Sequence, residues 1–234
     1  MSGLAGRLLP AGLLRRQTYT VGGAIVLVLA IVLIYLAGFT SVFAVKKVTV
    51  SGLHRLTQRT VLAAARVPMG KQLARLKIKP IHNRIAALPG VARVDVRRAW
   101  PNAVRIVVTE RTGVALLDRS GAYWLIDADA VAFQRLSAPE RGLPRLAADP
   151  TGKAKPAAKA ALHVAADLPA WLRVRTITIS AATPDSVTLA LTKGRTVHWG
   201  GATQDAEKAR VLAALLKQSG TVYDVSSPKV VAVR

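Results

Sequence analysis

Residues 91–111 read VARVDVRRAWPNAVRIVVTER, and this stretch decides the fold of the first half of the chain. Valines alternate with charged side chains in its first part, and β-branched residues dominate residues 103–110, which is typical of two extended strands. The intervening Trp100-Pro101-Asn102 has the composition of a turn. The stretch therefore predicts a β-hairpin.

Three further elements are predicted upstream of this hairpin. Residues 45–52, VKKVTVSG, read as a strand that ends at a glycine turn. Thr57 is a candidate N-cap of a short helix, and a second helix begins at Pro80, where proline is tolerated in the first turn. The order β-α-α-β-β over residues 45–111 predicts a small α+β domain.

The second half of the chain is richer in strands. Strands are predicted at residues 123–127, 131–133, 173–179, 186–191, 196–199, 221–225 and 230–233. A basic loop is predicted at 147–158, followed by a short helix to Asp167, and a longer helix at 204–218. These elements predict a second, mixed α/β domain built on an antiparallel-rich sheet.

An uncharged, apolar segment precedes both domains. Residues 17–45 contain no charged side chain, and the nineteen residues of Val21–Phe39 would extend about 29 Å as a helix, close to the hydrocarbon thickness of a bilayer. We predict a transmembrane helix at 19–41. A cleaved signal peptide is the alternative, but the run exceeds the usual hydrophobic region of such peptides.

Charge around this segment predicts its orientation. The tail at residues 1–18 contains Arg7, Arg15 and Arg16 and no acid, which favours a cytoplasmic N-terminus. The basic residues beyond the segment count for less, because long domains are translocated largely regardless of charge. The sequence predicts a single-pass, type II protein of the cell membrane, with its folded part outside the cytoplasm.

Positive charge is concentrated in the first part of the chain. The formal net charge is +22, and fourteen Lys or Arg residues precede the first acid, Asp95. Such a surface attracts anionic lipid headgroups or anionic wall polymers, which are therefore candidate ligands. Nucleic acid is not an expected partner of an extracytoplasmic domain. The simpler alternative is a compositional bias with solvated surface charge.

The sequence contains no recognisable catalytic or metal-binding motif. It has no cysteine, which excludes a disulfide framework and cysteine-ligated metals, and its four histidines are scattered. Asp127 and Asp129 form a close carboxylate pair, but aspartates in turns commonly accept bonds from nearby backbone amides. We predict that the protein is not an enzyme and has no cofactor or metal.

Four short motifs give the first domain a family resemblance. They are Val50-Ser51-Gly52, Leu88-Pro89-Gly90-Val91, Arg98-Ala99-Trp100-Pro101 and Thr109-Glu110-Arg111. At this spacing, and behind one apolar segment, they resemble the POTRA domain of the FtsQ/DivIB family of bacterial cell-division proteins. The resemblance implies a POTRA domain at 43–112 and an FtsQ-type β domain at 113–234. The family usually has glycine where Ala130 stands.

The resemblance also implies a function. Members of this family are non-catalytic scaffolds at the division septum that bind the FtsB/DivIC–FtsL pair through an exposed strand edge near the C-terminus and help regulate septal peptidoglycan synthesis. The implied partner-binding residues are Tyr223, Val225, Ser226, Ser227, Val230 and Val231, with Tyr223 as an aromatic anchor. Glu110 and Arg111 would lie at the domain junction. The alternative is that both C-terminal strands are interior strands of the sheet.

Two other classes of function are weighed against this one. A POTRA-bearing chaperone or translocation receptor would add unfolded chains to a strand edge, but it would usually have tandem POTRA repeats or a barrel. A wall-polymer-binding protein or enzyme would use the basic surface, and the enzyme would need a carboxylate or nucleophile constellation. The sequence contains neither feature.

Overall fold

The computed structural model describes residues 23–33, 35, 41–228 and 230–233. Residues 23–33 are helical. No helix within the described residues is both long enough and apolar enough to cross a membrane, and the span predicted at 19–41 extends outside those residues. The chain divides into two units, Met1–Ala86 with Val94–Val108, and Ala87–Arg93 with Thr109–Arg234, of which the structure describes the residues named above.

The N-terminal elements follow the predicted order β-α-α-β-β. They are β1 (Lys47–Ser51), α1 (Gln58–Ala65), α2 (Ile78–Ala86), β2 (Val91–Ala99) and β3 (Ala103–Glu110). The strands form a three-stranded sheet in the order β1-β3-β2, with β1 parallel to β3. The predicted hairpin and α+β arrangement are therefore confirmed.

Local sequence signals account for the two helices. Thr57 caps α1, because its hydroxyl oxygen accepts a bond of 3.2 Å from the backbone N–H of Thr60. Val61 and Ala65 are the buried residues of α1, and Ile81 and Ile85 are those of α2. Their i, i+4 spacing places each pair on one helix face, which is the face that packs into the core.

Arg98 has a structural role beside the hairpin turn. Its guanidinium donates to the backbone carbonyl oxygens of Leu73 at 2.8 Å and Leu76 at 2.7 Å. The neighbouring Arg97 forms an ion pair of 2.6 Å with Asp95. These two arginines therefore serve local structure.

The second unit contains nine strands and three helices within the described residues. They are β4 (Ala115–Arg119), β5 (Ala122–Ile126), β6 (Ala132–Leu136), β7 (Arg145–Leu146), α3 (Lys155–Asp167), α4 (Ala170–Arg173), β8 (Thr176–Ala181), β9 (Val187–Leu191), β10 (Thr196–Gly200), α5 (Asp205–Leu215), β11 (Val222–Ser227) and β12 (Val230–Val233). The sheet order is β12-β11-β10-β9-β8-β7-β4-β5-β6. Neighbours pair mainly antiparallel, while β10–β11, β7–β8 and β4–β7 are parallel, so the predicted mixed sheet is confirmed.

The main hydrophobic core lies between this sheet and two helices. Helix α3 packs against β7, β8, β9 and α5, and α5 packs against β11. Leu162, Leu189, Trp199 and Leu212 are fully buried members of this core. The strands near the C-terminus are therefore supported from one face of the sheet.

Two parts of the second unit differ from the sequence prediction. The predicted loop 147–158 is too long, because α3 begins at Lys155 and accommodates Pro156 in its first turn. The strand predicted from Arg173 begins at Thr176, because Ala170–Arg173 forms the short helix α4. Strands β4 and β7 were not predicted at all.

Candidate partner-binding edge

Strand β12 lies at one end of the nine-stranded sheet. Within the described residues, β11 is its only hydrogen-bonded neighbour in the sheet, with Tyr223 opposite Val233, Asp224 opposite Ala232 and Ser227 opposite Val230. An outer strand presents a row of N–H and C=O groups to any chain that can pair with it. The interior position of β11 means that β12 is the strand of this pair that can accept a partner.

Tyr223 and Val225 lie on the buried face of β11. Both side chains have zero exposure, and both belong to the main core. The Tyr223 hydroxyl donates to the carbonyl oxygens of Gln218 at 3.1 Å and Gly220 at 2.8 Å. Tyr223 thus holds the segment that leads from α5 into β11. Its ring packs in the core beneath β11 and is not presented at the surface.

Ser226 and Ser227 are exposed at the end of β11. The Asp224 carboxylate accepts bonds from the Ser226 backbone N–H at 2.9 Å and from the Ser226 hydroxyl at 2.7 Å. The pairing register of β11 with β12 shifts between Asp224 and Ser227, which is where a bulge bends the strand. The two serines therefore mark a bulged, solvent-facing end of the edge.

Gly200 makes room for this bulge. It is the last residue of β10, its φ is +76°, and a Cβ added there would come within 2.9 Å of the Ser226 Cβ and 3.1 Å of the Ser226 Cα. Sequence reasoning did not identify this residue. The signal that could have found it is a glycine at the end of a predicted strand, which often marks a close backbone approach.

Val230 and Val231 belong to β12 itself. The structure describes their backbone but not their side chains. The Ala232 side chain is exposed and that of Val233 is half-buried. Position 232 is consequently a described, solvent-facing position on the outer strand.

A buried lysine lies behind the same edge. Lys208 of α5 is 1% exposed, and its Nζ donates to the Gly201 carbonyl oxygen at 2.7 Å and lies 5.9 Å from the centre of the Trp199 ring. Burial lowers the pKa of the Lys208 ammonium, while the nearby Asp205 carboxylate acts in the opposite direction. The Trp199 indole N–H in turn donates to Asp205 at 2.5 Å. This network, which sequence reasoning missed, ties α5 to the end of β10.

Arg111 is held tightly at the start of the second unit. Its backbone N–H donates to the Gly90 carbonyl at 2.9 Å, and its guanidinium pairs with Asp127 at 2.5 Å. The other Asp127 carboxylate oxygen accepts bonds from the backbone N–H groups of Asp129 and Val131. The turn interpretation of Asp127 is confirmed, and Arg111 is a structural residue of this unit. Glu110 is the last residue of β3.

The remaining predictions concern the N-terminal arginines and possible metal ligands. Arg7, Arg15 and Arg16 lie outside the described residues. Within the part of the chain that the structure describes, no group of three or more His, Asp or Glu side chains is arranged to hold a metal ion. The arrangement at the C-terminal edge is one of backbone groups and small polar side chains, which suits protein binding.

Family models match both halves of the chain. The model described as POTRA domain, FtsQ-type, matches residues 43–111, and the model described as cell division protein FtsQ/DivIB, C-terminal, matches residues 115–233. An α+β unit followed by a sheet unit with an outer C-terminal strand is thus the architecture of a division protein. The chain belongs to the FtsQ/DivIB family.

Curated relatives agree with this assignment. The chain is 38% identical to "Cell division protein FtsQ" of Mycolicibacterium smegmatis over 96% of this chain and 67% of that protein. It is 39% identical to the protein of the same name from Streptomyces venezuelae over 80% of this chain and 72% of that protein. The identity to the Mycobacterium tuberculosis protein is 36%, over 84% of this chain and 62% of that protein.

Proposed function

We propose that this chain is a non-catalytic scaffold of the bacterial division complex that binds FtsB/DivIC-like and FtsL-like proteins and so helps regulate septal peptidoglycan synthesis. The observation that carries the proposal is the position of β12 at the end of the sheet. A strand from the partner would pair with the outer side of β12, and its main-chain hydrogen bonds would supply affinity.

The support behind β12 suits this mode of binding. Tyr223, Val225 and Lys208 are buried and fix β11 and α5 without occupying the outer side of β12. A rigid edge loses little conformational entropy when a second strand pairs with it. The exposed Ser226 and Ser227 would then contact the partner beside the bulge. Tyr223 would therefore position β11 for partner binding and would not contact the partner itself.

We further propose that residues 19–41 span the membrane with the N-terminus in the cytoplasm. The proposal is supported by the absence of charge from residues 17–45 and by Arg7, Arg15 and Arg16 in the preceding tail. Anionic lipids or wall polymers are candidate ligands of the basic surface that follows. A Ser2→Cys chain and an Ala232→Cys chain test the topology with a maleimide that cannot cross membranes. In intact cells, only position 232 should react.

The partner edge can be tested by site-directed cross-linking, because the natural chain contains no cysteine. A photoactivatable cross-linker is attached to Ala232→Cys in β12 or to Arg135→Cys in β6, which is the strand at the opposite end of the sheet. Both side chains are exposed, so the two positions form a matched pair.

We expect the full chain in nanodiscs to bind the purified FtsB/DivIC–FtsL-like pair and to form an adduct from position 232 but not from position 135. Adducts from position 135 alone would move the site to the other outer strand. If the natural chain does not bind the pair at all, the scaffold proposal is wrong.

A further inference from the structure

Exposed apolar side chains are concentrated at one end of the POTRA unit. Val42 is 55% exposed, Met69 is 56% exposed and Trp100 is 56% exposed. Among the described residues 41–86 and 94–108, Val107 is the one other large apolar side chain that is exposed, at 39%. Exposed tryptophan and methionine side chains in one region are unusual on a soluble surface and indicate a binding surface.

The three segments that carry these side chains lie close together. The rings of Phe43 and Trp100 contact each other edge to face, with centroids 5.8 Å apart. The Gly70 backbone N–H donates to the Val45 carbonyl at 2.9 Å, which places Met69 beside the residues that follow Phe43. We call Val42, Phe43, Met69 and Trp100 the interfacial patch.

Lysines flank this patch. The Val45 N–H donates to the Lys71 carbonyl at 2.9 Å, and the Lys46 N–H donates to the Asn102 carbonyl at 2.8 Å, so both lysines lie next to the patch segments. Both lysine side chains are exposed. The first acid in the sequence, Asp95, is paired with Arg97 at 2.6 Å. An apolar surface with flanking lysines complements the interface of an anionic bilayer, where ring and methylene groups are buried and ammonium groups remain in water.

The position of the patch along the chain identifies its occupant. Val42 is three residues beyond the apolar run that ends at Phe39, a separation of at most about 11 Å in an extended chain. The polar interfacial zone on each side of the hydrocarbon is about 5 to 8 Å deep. A chain anchored by the apolar run therefore cannot carry Val42 far from the membrane surface.

We propose that the interfacial patch inserts into the interface of the outer leaflet and holds the POTRA unit against the bilayer. This inference depends on the proposed membrane span. The ligand is the lipid surface itself: acyl chain and glycerol groups around Trp100 and Met69, and anionic headgroups around Lys46 and Lys71. The contact restricts the unit to one orientation relative to the membrane.

Fluorescence quenching by brominated lipid tests the proposal in the full chain. The natural protein is reconstituted into vesicles of brominated phosphatidylcholine with phosphatidylglycerol, and its tryptophan emission is compared with that in unbrominated vesicles. Trp100→Phe preserves an aromatic ring against Phe43 and leaves the three other tryptophans in place. Trp171→Phe is the control, because Trp171 lies in α4 of the second unit.

We expect strong quenching of the natural chain and of Trp171→Phe, and loss of the quenched component in Trp100→Phe. Replacing Lys46 and Lys71 by glutamate should reduce quenching in anionic vesicles, whereas Lys217→Glu should not. Equal quenching of the natural chain and Trp100→Phe overturns the proposal, as does the absence of quenching.

Flotation of the vesicles after an alkaline wash distinguishes failure of the interfacial patch from failure of the membrane span. A chain that remains in the vesicles without quenching at Trp100 overturns the interfacial patch and leaves the span intact. A chain released from the vesicles overturns both.

Discussion

Gly52 in the POTRA unit and Gly200 in the sheet unit occupy similar positions with different neighbours. Each has a positive φ, +81° and +76°, at a place where two strands approach closely. A Cβ at Gly52 would overlap the backbone carbonyl oxygen of Val108, whereas a Cβ at Gly200 would meet Ser226, which is exposed. The overlap at Gly52, 2.0 Å from the Val108 carbonyl oxygen, is severe, whereas the Ser226 Cβ at 2.9 Å and Cα at 3.1 Å require a smaller shift of an exposed segment. Gly52 therefore allows the close approach of β1 to β3 in the POTRA unit, and Gly200 allows the bulged shape of the β11–β12 edge.

The largest effect is expected for Gly52→Ala. Left-handed strain and overlap with the Val108 carbonyl should together cost about 3 to 5 kcal/mol in the free energy of unfolding. Hydrogen exchange of β1 and β3 amides measures the loss locally. Gly70→Ala is the control, because Gly70 has a φ of +76° and nothing within 4 Å of an added Cβ. Equal losses in the two variants would show that overlap with Val108 is unimportant.

Gly200→Ala should cost less stability but should alter the edge. We expect a loss of about 1 to 3 kcal/mol in the second unit, because a positive φ is strained for alanine. Displacement of Ser226 should also weaken cross-linking from Ala232→Cys to the partner. Gly121→Ala, at a φ of +73° with open space, supplies the control. If Gly121→Ala weakens partner cross-linking as much, the edge is not specifically shaped by Gly200.

The stability of the region beside Gly200 should depend on the charge of the buried Lys208, whose ammonium group donates to the Gly201 carbonyl. Burial lowers the pKa of Lys208 in the folded state, so the unfolded chain binds more protons between that pKa and the unfolded value of about 10.4. The free energy of unfolding should therefore rise with pH across this interval, by at most about 1.4 kcal/mol per pH unit.

Lys208→Met should remove this rise, and the exposed Lys217→Met should leave it unchanged. Urea denaturation between neutral and alkaline pH measures both variants. An identical pH dependence in the natural chain and Lys208→Met would contradict the assignment of the effect to Lys208.

The smallest effect is expected for Ala130→Gly. Ala130 has a φ of +65° in the turn between β5 and β6, a conformation that costs an alanine about 1 to 2 kcal/mol. Glycine removes this strain but increases the entropy of the unfolded chain, so a net gain of about 0.5 to 1 kcal/mol is expected. Thermal unfolding measures the gain, and a lower midpoint would mean that the alanine methyl group packs usefully.

The part of the fold that was predictable depends on contacts close in sequence. Thr57 caps α1 through a residue three positions later, and Ile81 and Ile85 share a helix face. The hairpin around Lys193-Gly194 joins adjacent strands. Strands β4 and β7 escaped prediction, because Arg145–Leu146 is too short to show a period and is a strand only through its neighbours.

The position of the candidate edge in the sequence was predictable, but which of its side chains are exposed was not. Alternation along residues 221–225 indicates a strand, but it does not say which face is covered. Tyr223 faces α5 and the core, so its ring is unavailable to a partner. Gly200 lies close to Ser226 because β10 pairs directly and in parallel with β11, although helix α5 separates these two strands along the chain. The strand–helix–strand order of this region favours parallel pairing, but the register of the two strands is not encoded by any local pattern.

The amino-acid sequence by itself determined the order of elements, the family, the uncharged segment and the excess of positive charge, because these are properties of neighbouring residues and of composition. Tertiary structure alone decided that β12 is an outer strand, that Lys208 is buried beside Trp199, and that the segments carrying Val42, Met69 and Trp100 lie close together. Each of these depends on residues far apart in the chain being brought together, and burial or exposure is a property of that assembly.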